Sequence, residues 1–326
     1  MMRRAIALSV GAALAAWLAV VSPAAGEDYP SRPIRIIVPT APGGLADLSA
    51  RIFAQKLTER TKQPVIADNR PGAGGIIGAE VAARAAPDGY TLLIGAQQPL
   101  AIMPNRDAQL PYDAATDFEP VAHMVIAPLV LVVHPSVPAT SVAELVALAK
   151  AKPGALTFSS AGPASMGMLA GEQFKLFAGV DLVHVPYKGV APALQDLLAG
   201  HVSMTFDLVP NVTEHIRAGR VRPLAVTVPQ RVSALPDVPT MAEVGLPDVQ
   251  ATNWFALFAP AKTPRPIILW LNREANEIYA SADVRQRFAA QSVQLPGGTP
   301  EDLGAYAAAE RLRWHQVITR AGIKLE

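Results

Sequence analysis

The sequence predicts an α/β protein of two similar lobes, each built on a mostly parallel sheet. Two observations carry that reading. Short apolar runs rich in Ile, Val and Leu alternate with segments of helical period along most of the chain, the pattern of strand–helix units packed in parallel. The chain has 326 residues, and single hydrophobic cores stop growing at about 250–300 residues. Lobe 1 is assigned to residues 27–125 with 250–326 and lobe 2 to residues 126–249. The chain crosses between them near residues 120–130 and again near 225–255.

Residues 1–26 read as an export signal. Arg3 and Arg4 precede an apolar run over residues 5–21, and Ala24, Ala25 and Gly26 supply the small residues of a cleavage site. The run has about the span of a membrane helix, so a retained N-terminal anchor is the alternative. No later stretch is apolar for long enough to cross a bilayer, and the mature chain is expected to be soluble outside the cytoplasm. Loss of the signal removes two of the 28 Lys and Arg residues and none of the 27 Asp and Glu, leaving a net charge of −1. That is no electrostatic footprint for nucleic acid. Cys is absent, which excludes a disulfide framework, a thiolate nucleophile and a cysteine metal site.

The elements follow in order. "IRIIVPT" (residues 34–40) is a buried strand, and "APGG" turns it into a helix over about 46–61 with Leu48, Ile52, Phe53 and Leu57 on one face. "PVIADN" is a second strand, followed by a glycine-rich turn and a helix over about 77–85. "PDGY" marks a turn before the strand "TLLIGA". An irregular stretch, "QQPLAIMPNRDAQLPYDAATDFEP", leads to the strand "LVLVVHP". The next helix has Ser141 as N-cap, Glu144 at the capping-box position and Gly154 past its end. "LTFSSAG", a helix stopping at Gly179, "VHVPYKG", "APALQDLLAG", "VSMTFDL", "NVTEHIRAG" and "VRPLAVTV" keep the rhythm. "WFALFAP" is a further strand, and helices over about 266–280, 282–291 and 300–321 close the chain.

Three turns bear on function. "DNRPGAGGIIGAE" holds Gly72, Gly74, Gly75 and Gly78 close to the spacing of a dinucleotide fingerprint. Such a fingerprint needs its glycines directly after a strand. Here Asp68, Asn69, Arg70 and Pro71 intervene, and no acid ends "TLLIGA" to hold a ribose. Nucleotide binding is therefore rejected, leaving a tight turn with close helix packing or a place on a cleft wall.

The loop Thr40, Ala41, Pro42, Gly43 and Gly44 leaves the carboxyl end of a strand and opens a helix, where α/β sheets bind ligands and unpaired N–H groups favour anions. Asp47, one turn in, either caps the helix or takes a ligand's donor. "FSSAGPASMG" is the matching turn of the other half, with Ser159, Ser160, Ser165 and the amides of Ala161 and Gly162. Each serine is alternatively an ordinary N-cap. Together the two turns form a clamp for a small carboxylate.

Catalytic readings find little support. His123, His134, His184, His201, His215 and His315 form no HExxH or other close ligand pair, and no G-x-S-x-G elbow is present. A scattered triad leaves no motif, so a hydrolase stays open as the rival reading.

The segments "YPSRPIRIIVPTAPGGLADLSAR", "VIADNRPGAGGIIGAEVAARAAPDGYTLLIG", "HVPYKGVAPALQDLLAGHVSMTFD" and "NWFALFAPAKTP" resemble the extracytoplasmic solute receptors of tripartite tricarboxylate transporters, the Bug or TctC-like family. The similarity covers essentially the whole mature chain. It implies a two-lobed periplasmic binding protein of the type II, Venus-flytrap kind, without catalysis or cofactor. It also implies a small organic anion as ligand, a membrane permease as partner, and a monomer.

Carried over, the resemblance places Thr40 to Gly44, Asp47 and the turn from Ser159 through Ala164 to Ser165 around the carboxylate. Ala96 and Gln97 are expected to face the cleft, and Tyr187, Lys188, Gly189 and Asp207 to line the other wall. This chain departs from the usual pattern in having Thr40 where an aromatic or apolar residue is common. It also has Ala164-Ser165-Met166-Gly167-Met168 where Gly-Ser-x-x-His is common. Met166 and Met168 then either make the pocket more apolar or belong to the core. A sensor subunit docking on a signalling protein shares the fold and cleft and is a further alternative.

Overall fold

The computed structural model describes residues 29–106 and 109–325; the expected signal lies outside them. β1 (Ile34–Val38) sits between β2 (Val65–Asn69) and β3 (Thr91–Ala96), parallel to each, and buries every residue but Arg35. α1 (Leu45–Thr61) packs Ala46, Ala50, Phe53 and Leu57 on this sheet and stops at Lys62, which takes a left-handed conformation. α2 (Ile76–Ala83) follows the glycine-rich turn.

The expected irregular stretch is partly regular. Residues Gln98–Ile102 and Met103–Asn105 form short helical turns, and β4 (Phe118–Val133) begins well before "LVLVV" and runs for 16 residues. Pro120, His123 and Pro128 disguise the part of it before Leu129 in the sequence. The strand accommodates them with register shifts between Pro120 and Ala122 and between His123 and Val125, the usual remedy for a residue that cannot hold a regular ladder.

The second half of the molecule contains α3 (Val142–Ala151), β5 (Thr157–Ser160), α4 (Met166–Ala178), β6 (Val183–Pro186), α5 (Val190–Leu198), β7 (Met204–Leu208), α6 (Val209–Arg217) and β8 (Arg222–Val226). As expected, Ser141 caps α3, its Oγ accepting the Glu144 N–H at 3.2 Å. The chain then returns through β9 (Thr252–Pro260) to α7 (Arg265–Ala280), α8 (Ala282–Ala289) and α9 (Pro300–Ala321). These three helices end within two residues of their expected bounds.

Strand order is β2-β1-β3-β9-β4 on one side and β4-β7-β5-β6 on the other, with β8 on β4 as well. In each lobe three strands are parallel, as the alternation predicts: β2, β1 and β3, then β6, β5 and β7. The strands that enter a lobe from the crossing run antiparallel to that trio: β9 against β3, and the end of β4 against β7. The trio points its carboxyl ends at the gap, so a strand entering from the gap must run the other way. β4 itself changes partners at Pro128, which pairs with Thr252, while Leu129 pairs with Leu208. One core cluster runs under both sheets, from Leu93 and Trp254 to Phe158 and Phe174, with Trp314 and Ile318 of α9 inside it.

Candidate functional site

A cleft of about 980 Å³ opens where the carboxyl ends of both parallel trios meet. Its first wall is made by Pro39, Thr40 and Ala41 after β1, the turn 71–75 after β2, and Ala96, Gln98 and Pro99 after β3. The second wall is made by Ser160 and Ala161 after β5, Ser165, Met166 and Gly167 at the start of α4, Lys188, Gly189 and Val190 after β6, and Thr205 to Leu208 on β7. Asn253 and Phe255 of β9 and Leu129 of β4 close the back.

Nine of the residues expected from sequence therefore line the cleft: Thr40, Ala41, Ala96, Ser160, Ala161, Ser165, Lys188, Gly189 and Asp207. The other nine do not, and each has a physical reason. Pro42, Gly43 and Gly44 are exposed, with open space around both glycines. The Gly43 N–H donates to Asp47 at 3.0 Å, and the Arg51 Nε donates to the same carboxylate at 3.0 Å. Burial would raise the Asp47 pKa, but hydrogen bonds from Arg51, Gly43 and Asn69 outweigh it and hold the carboxyl below its usual range. The start of α1 thus carries its own anion, which holds the Gly43 N–H just ahead of the helix and pairs with Arg51, while no side chain caps the first helical turn itself.

Gln97 is fully buried and turns away, its Nε2 donating to Glu310 of α9 at 2.9 Å. Ser159 alternates to the other face of β5, toward the Ala193 carbonyl. Gly162 gives its N–H to Ser160 Oγ, and a Cβ there would stand 3.0 Å from the Tyr187 carbonyl oxygen. Ala164 is buried in a left-handed conformation before the helix. Tyr187 donates its hydroxyl to Asp196 at 2.6 Å, a bond that pushes the phenol up to about 12.

Sequence reasoning left the glycine-rich turn undecided between packing and cleft lining; it serves both. Gly75 is buried at φ +90, and a Cβ at Gly78 would stand 2.9 Å from Pro39 Cα and from the Arg70 carbonyl oxygen. Glycine at both positions lets α2 ride against the end of β1 while residues 72–75 face the cleft. Thr205, Phe206, Asn253 and Phe255 were missed, since they lie inside β7 and at the start of β9, where no local motif marks them. Met166 lines the cleft, whereas Met168 packs against the core.

The lining is mostly apolar and small, with two charged side chains, Lys188 and Asp207. Lys188 is exposed and makes no ion pair among the described residues. Asp207 is buried, and burial pushes its carboxyl up to about 6 against hydrogen bonds from Asn211 Nδ2 (2.8 Å) and the Leu208 N–H (2.7 Å). Ser165 caps the 13-residue α4, its Oγ accepting the Met168 N–H. The N–H groups of Met166 and Gly167 take no intramolecular partner among the described residues. They sit at the positive end of the helix dipole, a setting that favours an anion. No group of three or more His, Asp or Glu side chains among the described residues converges to hold a metal ion.

A family profile described as the tripartite tricarboxylate transporter family receptor matches residues 49–323. The chain belongs to this receptor family. The receptor is 41% identical to protein BugT of Bordetella pertussis over 94% of both chains. Among solved structures it is similar to R. palustris Rpa4515 with adipate, at 37% identity and a TM-score of 0.83, over 91% of this chain and 99% of that one. It is also similar to MatC from Rhodopseudomonas palustris with bound malate, at 31% identity and a TM-score of 0.79, over 89% and 100%. The receptor thus shares the fold of periplasmic binding proteins.

Proposed function

We propose that this receptor captures a small organic carboxylate between its lobes and delivers it to a tripartite tricarboxylate-type permease. The observation that carries the reading is the second cleft wall, where the unpaired Met166 and Gly167 amides and the Lys188 ammonium border one apolar space. A carboxylate on that wall satisfies backbone donors that folding leaves without partners. The relatives with adipate and with malate support the carboxylate class. Residues 27–125 with 250–326 move as one lobe and residues 126–249 as the other, with the Pro128–Leu129 step as pivot. The chain works as a periplasmic monomer after loss of residues 1–26, binds without turning its ligand over, and needs no cofactor.

Ligand shifts the open–closed balance only by its differential affinity for the closed form; about 5.5 kcal/mol takes a 1:99 population to 99:1. Titration calorimetry with adipate, succinate, malate, citrate and benzoate tests the reading. One acid at least is expected to bind at one per chain and to be recovered intact. Silence from the whole panel refutes carboxylate capture, and turnover of a bound acid refutes a pure receptor.

A further inference from the structure

Ser160 ends β5 on the cleft wall, and its Oγ lies 2.7 Å from Nε2 of His184 on β6. The two strands pair in parallel with Phe158 opposite His184 and Ser160 opposite Pro186. Ser160 and His184 are therefore diagonal neighbours on one sheet face, within reach of a long side chain. The imidazole stacks on Phe158, with ring centroids 4.8 Å apart and planes inclined by 25°. That contact fixes the plane of the ring and aims Nε2 at the hydroxyl.

The hydrogen-bond inventory of Ser160 is small enough to count. A hydroxyl has one proton and two lone pairs. The Gly162 N–H takes one lone pair at 3.2 Å. The Gly162 carbonyl is 3.3 Å from Oγ but already receives the Ser165 hydroxyl at 2.7 Å and the Ser165 N–H at 3.2 Å, one for each lone pair. His184 decides the rest. With a proton on Nε2, the ring donates to the second lone pair and frees the hydroxyl proton for an acceptor in the cleft. With Nε2 bare, the ring takes that proton and Oγ turns a lone pair outward. The first state offers a carboxylate a donor; the second repels it.

We propose that His184 is a positioning residue for ligand binding: its Nε2–H holds Ser160 as a hydrogen-bond donor and so selects ligands that set an oxyanion against β5. This rests on the carboxylate reading above. Burial lowers the His184 pKa; Glu172 opposes that shift and Lys175 adds to it. Both act on the ring electrostatically from α4, where they pair with each other at 3.1 Å. Burial thus disfavours the charged ring, and in the neutral ring the tautomer sets what Ser160 presents. Ligand then selects the Nε2–H form, as any ligand selects the state it binds better.

Nitrogen-15 NMR of the His184 ring distinguishes a protonated from a bare Nε2. It is recorded on the receptor with and without the tightest-binding acid of the panel above. Calorimetry with the same acid follows on Ser160→Ala, His184→Phe and His184→Gln, with circular dichroism and thermal melts as folding controls. Expected are a rise in Nε2 protonation on binding and a roughly tenfold loss of affinity in Ser160→Ala and His184→Phe. His184→Gln, whose amide N–H replaces the ring donor, is expected to stay within about threefold of the parent, since one donor has been exchanged for another. An unmoved Nε2 signal, or full affinity in His184→Phe, overturns the proposal and leaves carboxylate capture standing. An equal loss in folded His184→Gln and His184→Phe also overturns it, because packing of the ring would then be what matters. Absence of binding to the parent chain removes both readings.

Discussion

Replacing Asp207 by Asn removes a charge that the fold holds at a cost. Asp207 is 9% exposed at the end of β7, and burial raises its pKa from 3.8 to about 6. A raised acid binds its proton more tightly when folded than when unfolded. Its contribution to stability is complete below about pH 4 and is lost as pH rises through about 6. The displacement from 3.8 to about 6 corresponds to about 3 kcal/mol, at about 1.36 kcal/mol per pH unit. Asn keeps an Oδ1 that accepts from both Leu208 N–H and Asn211 Nδ2, and it carries no charge to desolvate. Asp207→Asn is therefore expected to be more stable than the parent at pH 8 by up to about 3 kcal/mol, with the gap closing between about pH 6 and pH 4. Urea unfolding of both proteins across that range reads the gap directly. A gap that does not vary with pH, or a parent more stable at pH 8, refutes the reasoning. The same variant tests whether the Asp207 charge also acts on the proposed ligand, which calorimetry at pH 8 reads. Loss of affinity in the more stable variant would connect the two.

Gly78→Ala and Gly44→Ala form a contrasting pair. At Gly78 a Cβ would press on Pro39 Cα and the Arg70 carbonyl at 2.9 Å, backbone atoms that cannot swing aside, so a loss of about 1–3 kcal/mol and weaker ligand binding are expected. Gly44 has an extended backbone (φ −83) and nothing within 4 Å, so Gly44→Ala is expected to change stability by less than about 0.5 kcal/mol and to leave affinity alone. Thermal melts and calorimetry read both, and a binding defect in Gly44→Ala would return the α1 loop to the site. Lys188→Ala is expected to weaken carboxylate binding roughly tenfold, in keeping with a lost hydrogen bond from a charged group, and to flatten its salt dependence. Unchanged affinity at both low and high salt removes Lys188 from the ligand's reach.

Much of the fold was legible because its elements obey local rules. β1 and β3 are largely apolar runs, broken in β1 by Arg35 alone, as strands buried on both faces tend to be, and Ser141 caps α3 where its spacing to Glu144 predicts. β4 was half-hidden because local rules mislead there. Pro120, His123 and Pro128 argue against a strand, and only the ladder with β9, contributed by residues more than 120 positions later, overrides them. The antiparallel sense of β9 was equally out of reach, since it follows from where the chain re-enters a lobe rather than from any residue in the strand.

The site was half-legible for a related reason. Strand-to-helix junctions mark where backbone donors end up, which is why Ser160, Ala161 and Ser165 fell in place. Whether such a donor stays available depends on competitors elsewhere in the fold. Gly43 met Asp47, four residues on; Tyr187 met Asp196, nine residues on; Gln97 met Glu310, which no local pattern could announce. Met166, Gly167 and Lys188 met none among the described residues. A buried polar group without a partner destabilises the fold by about 1–3 kcal/mol. Folding therefore pairs what it can, and what it leaves unpaired on a cleft wall is the part a ligand can stabilise most. By that criterion the second wall offers its free helix start and its lysine, and the first wall offers Thr40, whose buried Oγ1 has no hydrogen-bond partner among the described residues. On the proposed reading, a carboxylate spanning the cleft would meet donors on both walls, and Asp47 removes only the Gly43 N–H from the first.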